Sequence, residues 1–426
     1  MGHDLTKQYS VFFAKKGVKK IFSLAQDIYK FGKFRELVSF AVWEVYHKLG
    51  LFPKNDYLSF SNTQAIVLES EKVASPELDE KVSQLFRSNG LSAIRCDHNW
   101  KQVYINSNGE IFGSIYPNDF DLYKSTDGGK SVVLVHKFPE SIKSLFISSQ
   151  NTIFVCVQGS MYRSSDHGAS FRKVLDLGSP ISFFRSNNAM TETPNRQLWA
   201  GEYGNILEKN GWRKLAYLYH SADDGETWKV SDFLIQKGIN KHVHIVKYSK
   251  VLNRLMVADG DNYKKLWISG PLDNFDFENP VWIPITKYHI QMGGYTAVVE
   301  NDEKIFFGTD YQGGTNFIVE TTDAKKFTKK IVPDPYRRSP IDNMILRKSK
   351  KGHEIWANLP FSAPGTKCLL MYSDDGGASW NKVFEYSRST HSVWLISSSK
   401  ETTDTIYVSV QNQKTNARVV YQLVDA

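Results

Sequence analysis

A short motif, Ser-x-Asp-x-Gly-x-x-aromatic, recurs along the chain and constrains its fold more than any other sequence feature. Six copies, of which those at 269 and 321 are degenerate, begin at residues 125, 164, 221, 269, 321 and 373. Consecutive copies therefore start between 39 and 57 residues apart. A repeat of this length is typical of one four-stranded blade in a β-propeller. Short alternating strands from about residue 100 onward agree with that architecture.

The chemistry of the motif explains why it marks a hairpin. Serine and aspartate side chains accept hydrogen bonds from nearby backbone N–H groups and stabilise a tight turn. The glycine adopts a backbone conformation that costs other residues energy. We therefore assign a structural role, with no part in chemistry, to the motif aspartates Asp127, Asp166, Asp223 and Asp375.

The repeats resemble the Asp boxes of BNR-repeat propellers, a superfamily of which the sialidases are the best-known members. The resemblance covers roughly residues 100–426 and implies an all-β propeller whose boxes lie at the blade periphery, away from any ligand. A seven-bladed ring is expected, with six blades as the alternative. Strands at 392–396, 405–411 and 418–423 need a fourth, which Thr63–Glu69 is predicted to supply, closing the ring.

The N-terminal part of the chain differs from the propeller in pattern and charge. Residues 1–56 contain ten Lys/Arg and five Asp/Glu, a share of +5 in the chain's net charge of +8. Helical periodicity over 18–49 predicts an N-terminal helical extension at 1–56, followed by a propeller domain at 57–426. This extension either packs on the propeller or on a second copy, or contacts an anionic membrane surface. A second helix is predicted at 76–88.

Targeting signals and cysteine chemistry are not evident in the sequence. No stretch has the pattern of a signal peptide or the length of a transmembrane helix. Three cysteines give no disulfide framework. We therefore expect a cytoplasmic protein, with membrane association at most peripheral. The near-neutral body of the chain argues against nucleic acid as a partner.

Polar residues recur at one end of the predicted propeller, where innermost strands begin and second strands end. We call this end the entry face. Carboxylates, imidazoles and a phenol are the usual acid–base groups of enzymes. The predicted catalytic residues are Glu202, Tyr203, His242, His244, Asp261 and Asp310. The predicted substrate-binding residues are His289, Gln291, Tyr295, Arg338, Asn358 and His391.

These residue types favour a carbohydrate-active enzyme that acts on a cell-surface or acidic polysaccharide. A lyase would use His242 or His244 as base and Tyr203 as acid. A glycoside hydrolase would need two carboxylates, with Glu202, Asp261 and Asp310 as candidates. Two other hypotheses remain: a non-catalytic glycan-binding propeller, and a scaffold or assembly factor.

No cofactor is expected, although one metal site was considered. Some propeller lyases hold a divalent metal with histidines and a glutamine, and the four residues of matching type are His242, His244, His289 and Gln291. The chain is also similar to uncharacterised Asp-box proteins of bacterial polysaccharide gene clusters. It departs from typical sialidases, because it lacks their Arg-Ile-Pro motif and Arg338 alone among its arginines is predicted near the entry face.

Overall fold

The computed structural model describes residues 26, 29, 34–61, 64–69, 72–208, 211–239, 241–259, 265–276, 280–285, 294–361, 365–400 and 402–426. Seven antiparallel sheets follow one another around a ring, which confirms the seven-bladed propeller. The first strands of successive blades contact each other, so they are the innermost strands and surround a central channel.

Blades 1 to 3 are built as follows. Blade 1 comprises Trp100–Ile105, Ile111–Ile115, Asp121–Ser125 and Val133–Lys137. Blade 2 comprises Ile142–Ile147, Ile153–Val157, Ser160–Ser164 and Arg172–Asp176. Blade 3 comprises Met190–Glu192, Leu198–Gly201, Leu218–Ser221 and Lys229–Ser231, with the small hairpin Leu207–Glu208 and Gly211–Trp212 inserted before its third strand.

Blades 4 to 6 repeat the plan. Blade 4 comprises Val243–Ser249, Arg254–Asp259, Leu266–Ile268 and Ile283–Pro284. Blade 5 comprises Gly294–Glu300, Ile305–Asp310, Phe317–Thr321 and Thr328–Ile331. Blade 6 comprises Asn343–Ser349, Gly352–Leu359, Cys368–Ser373 and Asn381–Tyr386. The apolar side chains of the strands form clusters between neighbouring blades, so the core is divided around the ring.

Blade 7 closes the ring with strands from both ends of the chain. Its four strands are His391–Leu395, Ile406–Asn412, Arg418–Asp425 and Leu91–Arg95. Leu91–Arg95 pairs antiparallel with Arg418–Asp425. The predicted closing strand, Thr63–Glu69, is therefore wrong. Within it, Ile66–Val67 instead adds a parallel edge strand to blade 6.

Helix packing explains this choice of closing strand. The helices are α1 (Phe34–Lys48), α2 (Pro76–Ser88) and α3 (Phe233–Gln236), and short 3-10 turns occur at Lys54–Asp56 and Leu272–Asn274. The predicted helix at 76–88 is confirmed as α2. It buries Leu78, Val82 and Phe86 in the cluster between blades 6 and 7, where Leu91 also packs. Because α2 ends beside blade 7, the next residues reach that blade's outer edge.

Helix α1 lies against blade 5. Trp43 packs edge-on against Phe317 with ring centroids 5.4 Å apart. Glu44 accepts hydrogen bonds from Arg337 at 2.6 Å and Arg338 at 2.6 Å. Three apolar side chains of α1 and one just after it are between 44 and 65 % exposed: Val38, Val42, Val45 and Leu49. Membrane contact or self-association through residues 1–56 stays a prediction, most of residues 1–33 being outside the described residues.

The Asp boxes form the turns that their sequence predicts. In the box at Ser164, the serine hydroxyl donates to Asp166 at 2.7 Å and accepts from the Gly168 N–H at 2.9 Å. Asp166 also accepts from the backbone N–H of Ser170 at 3.0 Å. Gly168 has φ +95°, which favours glycine. The boxes follow third strands, so they lie at the end of the propeller opposite the entry face.

Candidate active site at the entry face

Strand register brings the predicted polar positions to one face. The start of each innermost strand pairs with the end of the second strand in its blade, as in these pairs: Val243 with Asp259, Gly294 with Asp310, Asn343 with Asn358, and His391 with Asn412. Asp261 belongs to segment 260–264, which follows Asp259. His289 and Gln291 belong to segment 286–293, which precedes Gly294. These three residues lie outside the described residues, so their roles stay predictions.

Glu202 is completely buried beneath the entry face. Its carboxylate accepts hydrogen bonds from the Ser182 hydroxyl at 2.5 Å, the Tyr219 hydroxyl at 2.6 Å and the Gly178 N–H at 3.0 Å. Burial raises the pKa of Glu202, and the three donors only partly oppose that shift. The carboxyl is thus enclosed by protein donors and joins the end of the second strand of blade 3 to the segment that enters this blade.

Tyr203, the next residue, covers the two predicted histidines. Its ring centroid lies 4.1 Å from that of His242 and 5.8 Å from that of His244. Both imidazoles are 1 % exposed, whereas Tyr203 is half-buried. Of these three predicted groups, the phenol is therefore the one that a substrate at the entry face meets first.

The two histidines form a hydrogen-bonded pair. His242 Nδ1 lies 2.8 Å from the carbonyl oxygen of Gly204, and His244 Nδ1 lies 3.1 Å from that of Tyr295. The two Nε2 atoms lie 2.8 Å apart. A carbonyl only accepts, so each Nδ1 must donate to it, and the Nε2 contact needs one further proton. With all three hydrogen bonds formed, the pair holds three protons and one positive charge.

A segment between blades 2 and 3, Phe184–Asn188, crosses the channel below Tyr203. We call it the channel segment. Arg185 donates to the carbonyl oxygens of Thr296 at 3.0 Å and Asp342 at 2.5 Å. Its guanidinium also lies 5.7 Å from the centre of the Tyr203 ring. Arg185 and the histidine pair therefore both lie against the Tyr203 ring.

The channel segment binds several other blades. The Ser186 hydroxyl accepts from the N–H of Leu145 at 3.0 Å, and the Asn187 amide donates to Asn343 at 3.1 Å. The carbonyl oxygen of Asn188 accepts from the N–H of Val246 at 2.8 Å. Below the segment, a cavity of about 660 Å³ opens toward the Asp-box end. Its lining includes Asn187, Glu192, Lys247 and Glu300 but none of the predicted site residues.

The remaining predicted residues lie in different settings. Asp310 ends the second strand of blade 5 and is half-buried. Tyr295 is buried, which raises the pKa of its phenol, and it contributes its carbonyl oxygen to the histidine pair. Asn358 donates its amide to the carbonyl oxygen of Val393 at 3.1 Å in blade 7. His391 begins blade 7 and is buried. Arg338 is paired with Glu44 of α1.

Two arginines of the entry face were missed by sequence reasoning. Arg185 precedes blade 3 in a stretch without strand periodicity, and only the path of the channel segment brings it to Tyr203. Arg388 lies in the loop before blade 7, where its guanidinium contacts the rings of Phe361 and Trp394 at 5.9 and 5.4 Å. The arginine and the tryptophan six residues apart were the available signal, since Arg–aromatic pairs are common in binding sites.

In the described parts of the chain, no group of three or more His, Cys, Asp or Glu side chains has the arrangement of a metal site. His242 and His244 direct their Nε2 atoms at each other, and the proposed metal set stays a prediction because His289 and Gln291 are not described. Among the described helices, none is long and apolar enough to cross a membrane.

Comparison with known proteins supports the fold and the repeat. A family model described as BNR/Asp-box repeat matches residues 371–382. No curated protein is significantly similar in sequence. Virginiamycin B lyase from Staphylococcus aureus is 14 % identical, with 78 % of this chain and 98 % of that chain covered and a TM-score of 0.51.

Two further solved structures have comparable similarity. A catalytically inactive variant of that lyase with quinupristin is 13 % identical, with 78 % of this chain and 99 % of that chain covered and a TM-score of 0.53. A chain of a mitotic checkpoint complex is 11 % identical, with 86 % and 100 % covered and a TM-score of 0.52. Identities this low establish a shared propeller fold alone.

Proposed function

We propose that this Asp-box propeller is a polysaccharide lyase that cleaves an acidic glycan at the entry face, with Tyr203 as the residue that exchanges protons with the substrate. The observation that carries the proposal is the stack of Tyr203 on the His242–His244 pair, with Arg185 against the same ring. This arrangement combines the accessible phenol of Tyr203 with Arg185 and the protonated histidine pair, which both lie against its ring.

Elimination from a uronate-containing chain requires groups of these kinds. A base removes the proton from the carbon beside the carboxylate, the bond from the adjacent carbon to the glycosidic oxygen breaks, a carbon–carbon double bond forms, and an acid protonates the leaving oxygen. The half-buried Tyr203 meets the substrate. Its phenolate removes that proton, and the phenol so formed donates the proton to the leaving oxygen. The positive charge of Arg185 and of the histidine pair stabilises negative charge that develops on the phenol oxygen. His242 and His244 then act behind Tyr203 instead of touching the substrate as base.

Hydrolysis has less support from the described residues. A glycosidase places two carboxyl groups about 5 Å or about 6.5–9.5 Å apart across the scissile bond. Glu202 is buried and accepts three protein hydrogen bonds, so it is not placed for that role. Asp310 then remains as the described candidate, and a single carboxylate is insufficient.

The test is an assay on the purified full-length protein with polygalacturonate, alginate and hyaluronan. A lyase raises reducing ends together with the ultraviolet absorbance of the unsaturated uronate. A rise in reducing ends without that absorbance indicates a hydrolase, and binding without either signal indicates a glycan-binding or scaffold propeller. Both results contradict the proposal.

The assignment of Tyr203 is tested separately by Tyr203→Phe. We expect the elimination rate to fall about 100-fold or more, because general acid–base groups contribute at least that much. The matched control is Tyr162→Phe, since Tyr162 packs against Phe138 in blade 2 and does not contact the Tyr203 stack. A rate unchanged in Tyr203→Phe would place the chemistry elsewhere.

A further inference from the structure

The guanidinium of Arg388 has an unusual environment for a shielded cation. Arg388 is half-buried, and its Nη1 atom is out of contact with water and has no hydrogen-bond partner among the described residues. By contrast, Arg185 faces Asp342, and Arg338 faces Glu44. Among the residues that the structure describes, no carboxylate pairs with Arg388. A shielded charge without an acceptor is costly unless an anion completes its environment.

Aromatic rings hold this guanidinium in place. Phe361 and Trp394 meet edge to face, with centroids 5.9 Å apart and planes at 75°. Arg388 lies over both rings, at 5.9 and 5.4 Å from their centres. Cation–π contact of this kind orients an arginine without using its N–H donors. All three side chains are half-buried, so each retains an accessible edge.

The Arg388 group belongs to the same face as Tyr203. The loop that contains Arg388 joins the last strand of blade 6 to the innermost strand of blade 7, which places it at the entry face. Asn343 links this region to the channel segment, because it accepts from the Asn187 amide at 3.1 Å and donates to the Leu395 carbonyl oxygen at 3.2 Å. A polymer lying across the face would therefore reach both regions.

We infer that Arg388, with Trp394 and Phe361, forms a subsite for a carboxylated sugar ring of the glycan, at a distance along the polymer from the cleaved bond. The accessible side of the guanidinium would bind the carboxylate, and the ring edges would contact the apolar side of the sugar. The inference rests on the proposed function for the class of polymer. It adds a binding residue that takes no part in proton transfer.

Binding without turnover tests this subsite. In the Tyr203→Phe background, calorimetry compares oligogalacturonate with the same oligosaccharide after reduction of its carboxyl groups. We expect Arg388→Gln to weaken binding of the acidic form about 10- to 100-fold, the value of a hydrogen bond to a charged group, and to leave binding of the reduced form unchanged. The affinity of Arg388→Lys for the acidic form should lie between that of the unchanged arginine and that of Arg388→Gln. The control is Arg172→Gln, whose side chain is 54 % exposed and pairs with Glu226 at the Asp-box end.

The outcomes separate this inference from the lyase proposal. Arg388-dependent binding of the acidic form without any elimination supports the subsite and contradicts the lyase. Elimination by the wild type, with equal affinity for the acidic form in the Tyr203→Phe background with and without Arg388→Gln, overturns the subsite and leaves the lyase standing. Equal losses for acidic and reduced forms also overturn it. If Arg388→Gln fails to fold, Arg388→Lys is measured in its place. Lysine lacks the planar N–H donors of arginine, so an unchanged affinity for the acidic form contradicts the proposal.

Discussion

Glu202 illustrates how a single side chain at the entry face serves structure. Its carboxyl accepts from Gly178, Ser182 and Tyr219, and no cation contacts it among the described residues. These bonds fix the chain where it leaves the second strand of blade 3, and they thereby fix the position of Tyr203. The sequence pattern located Glu202 correctly at a strand end, but burial of its carboxyl depends on loop residues 178 and 182, which strand periodicity does not predict.

The stability of the protein should depend on pH through Glu202. An unfolded glutamate ionises near pH 4.5, whereas burial raises the pKa of Glu202 in the folded state. Between the pKa of Glu202 in the unfolded chain and its higher pKa in the folded protein, the unfolded chain loses its proton first. Folding therefore becomes less favourable as pH rises through this range. We expect the free energy of unfolding of wild type, relative to Glu202→Gln, to fall as pH rises above 4.5. Urea unfolding at several pH values measures this difference.

The control for that experiment is Glu303→Gln, which changes an exposed glutamate in the turn of blade 5. Its free energy of unfolding should follow that of wild type at every pH. If Glu202→Gln did the same, ionisation of Glu202 would carry no cost in the folded protein, and the pKa shift derived from its burial would be wrong.

At the scale of elements, each Asp box is a small hydrogen-bonded unit. In blade 6 the Ser373 hydroxyl donates to Asp375 at 2.7 Å and accepts from the Gly377 N–H at 2.9 Å. These contacts were predictable from sequence because all partners lie within four residues of each other. The closing strand was not predictable in this way, since 63–69 and 91–95 are both short and apolar, and only the packing of α2 distinguishes them.

We predict that Ser373→Ala destabilises the protein by about 1–2 kcal/mol, because the half-buried Gly377 N–H and Asp375 each lose a buried partner. Chemical unfolding of Ser379→Ala provides the comparison. Ser379 also donates to Asp375, at 2.6 Å, but it is exposed, so water replaces it. Equal effects of the two substitutions would show that burial of the box serine is unimportant.

Helix α1 should loosen from blade 5 in acid. Burial and the Arg337 charge lower the pKa of His47 from 6.5 to about 4. An unfolded or undocked His47 takes up a proton near pH 6.5, but the docked one stays neutral until about pH 4. Docking is therefore fully favourable above 6.5 and weakens as pH falls toward 4. Hydrogen exchange of α1 amides measures the effect.

The matched variants for this prediction are His47→Gln and His353→Gln. The first removes the titrating ring and should flatten the pH dependence of α1 exchange across this range. The second changes a half-buried histidine of blade 6 and should leave it unaltered. Faster exchange in acid that persists in His47→Gln would assign the pH dependence to another group.

On the scale of the whole molecule, the ring is held closed by strand Leu91–Arg95. Its five residues pair with the last strand of the chain from Asp425 back to Tyr421. Six repeats, together with the strands left after the last of them, predicted seven blades with six as the alternative, whereas the repeats did not mark the entry-face arginines. Arg185 and Arg388 occupy loops. Arg185 contacts Tyr203 and Thr296, and Arg388 contacts Phe361 as well as the nearby Trp394, so most of these contacts join segments that no local pattern relates.

Closure should therefore contribute to global stability. Leu91 is 2 % exposed in the cluster between blades 6 and 7, while Ile94 of the same strand is 47 % exposed. We expect Leu91→Ala to lower the free energy of unfolding by about 2–4 kcal/mol and Ile94→Ala by less than about 0.5 kcal/mol. Denaturant titration followed by circular dichroism compares them. Similar losses of unfolding free energy in the two variants would mean that packing of this strand does not stabilise the closed ring.

The channel segment has a consequence for how such a ring could change over evolutionary time. Blades are duplicable units, and a chain of repeats would tolerate gain or loss of one. Here, however, Arg185, Ser186, Asn187 and Asn188 span the lumen and bond to blades 2, 4, 5 and 6 at distances set by the present radius. An eighth blade would widen that radius and separate these partners. The contacts of the channel segment are therefore compatible with a ring of seven blades and would be lost in a wider one.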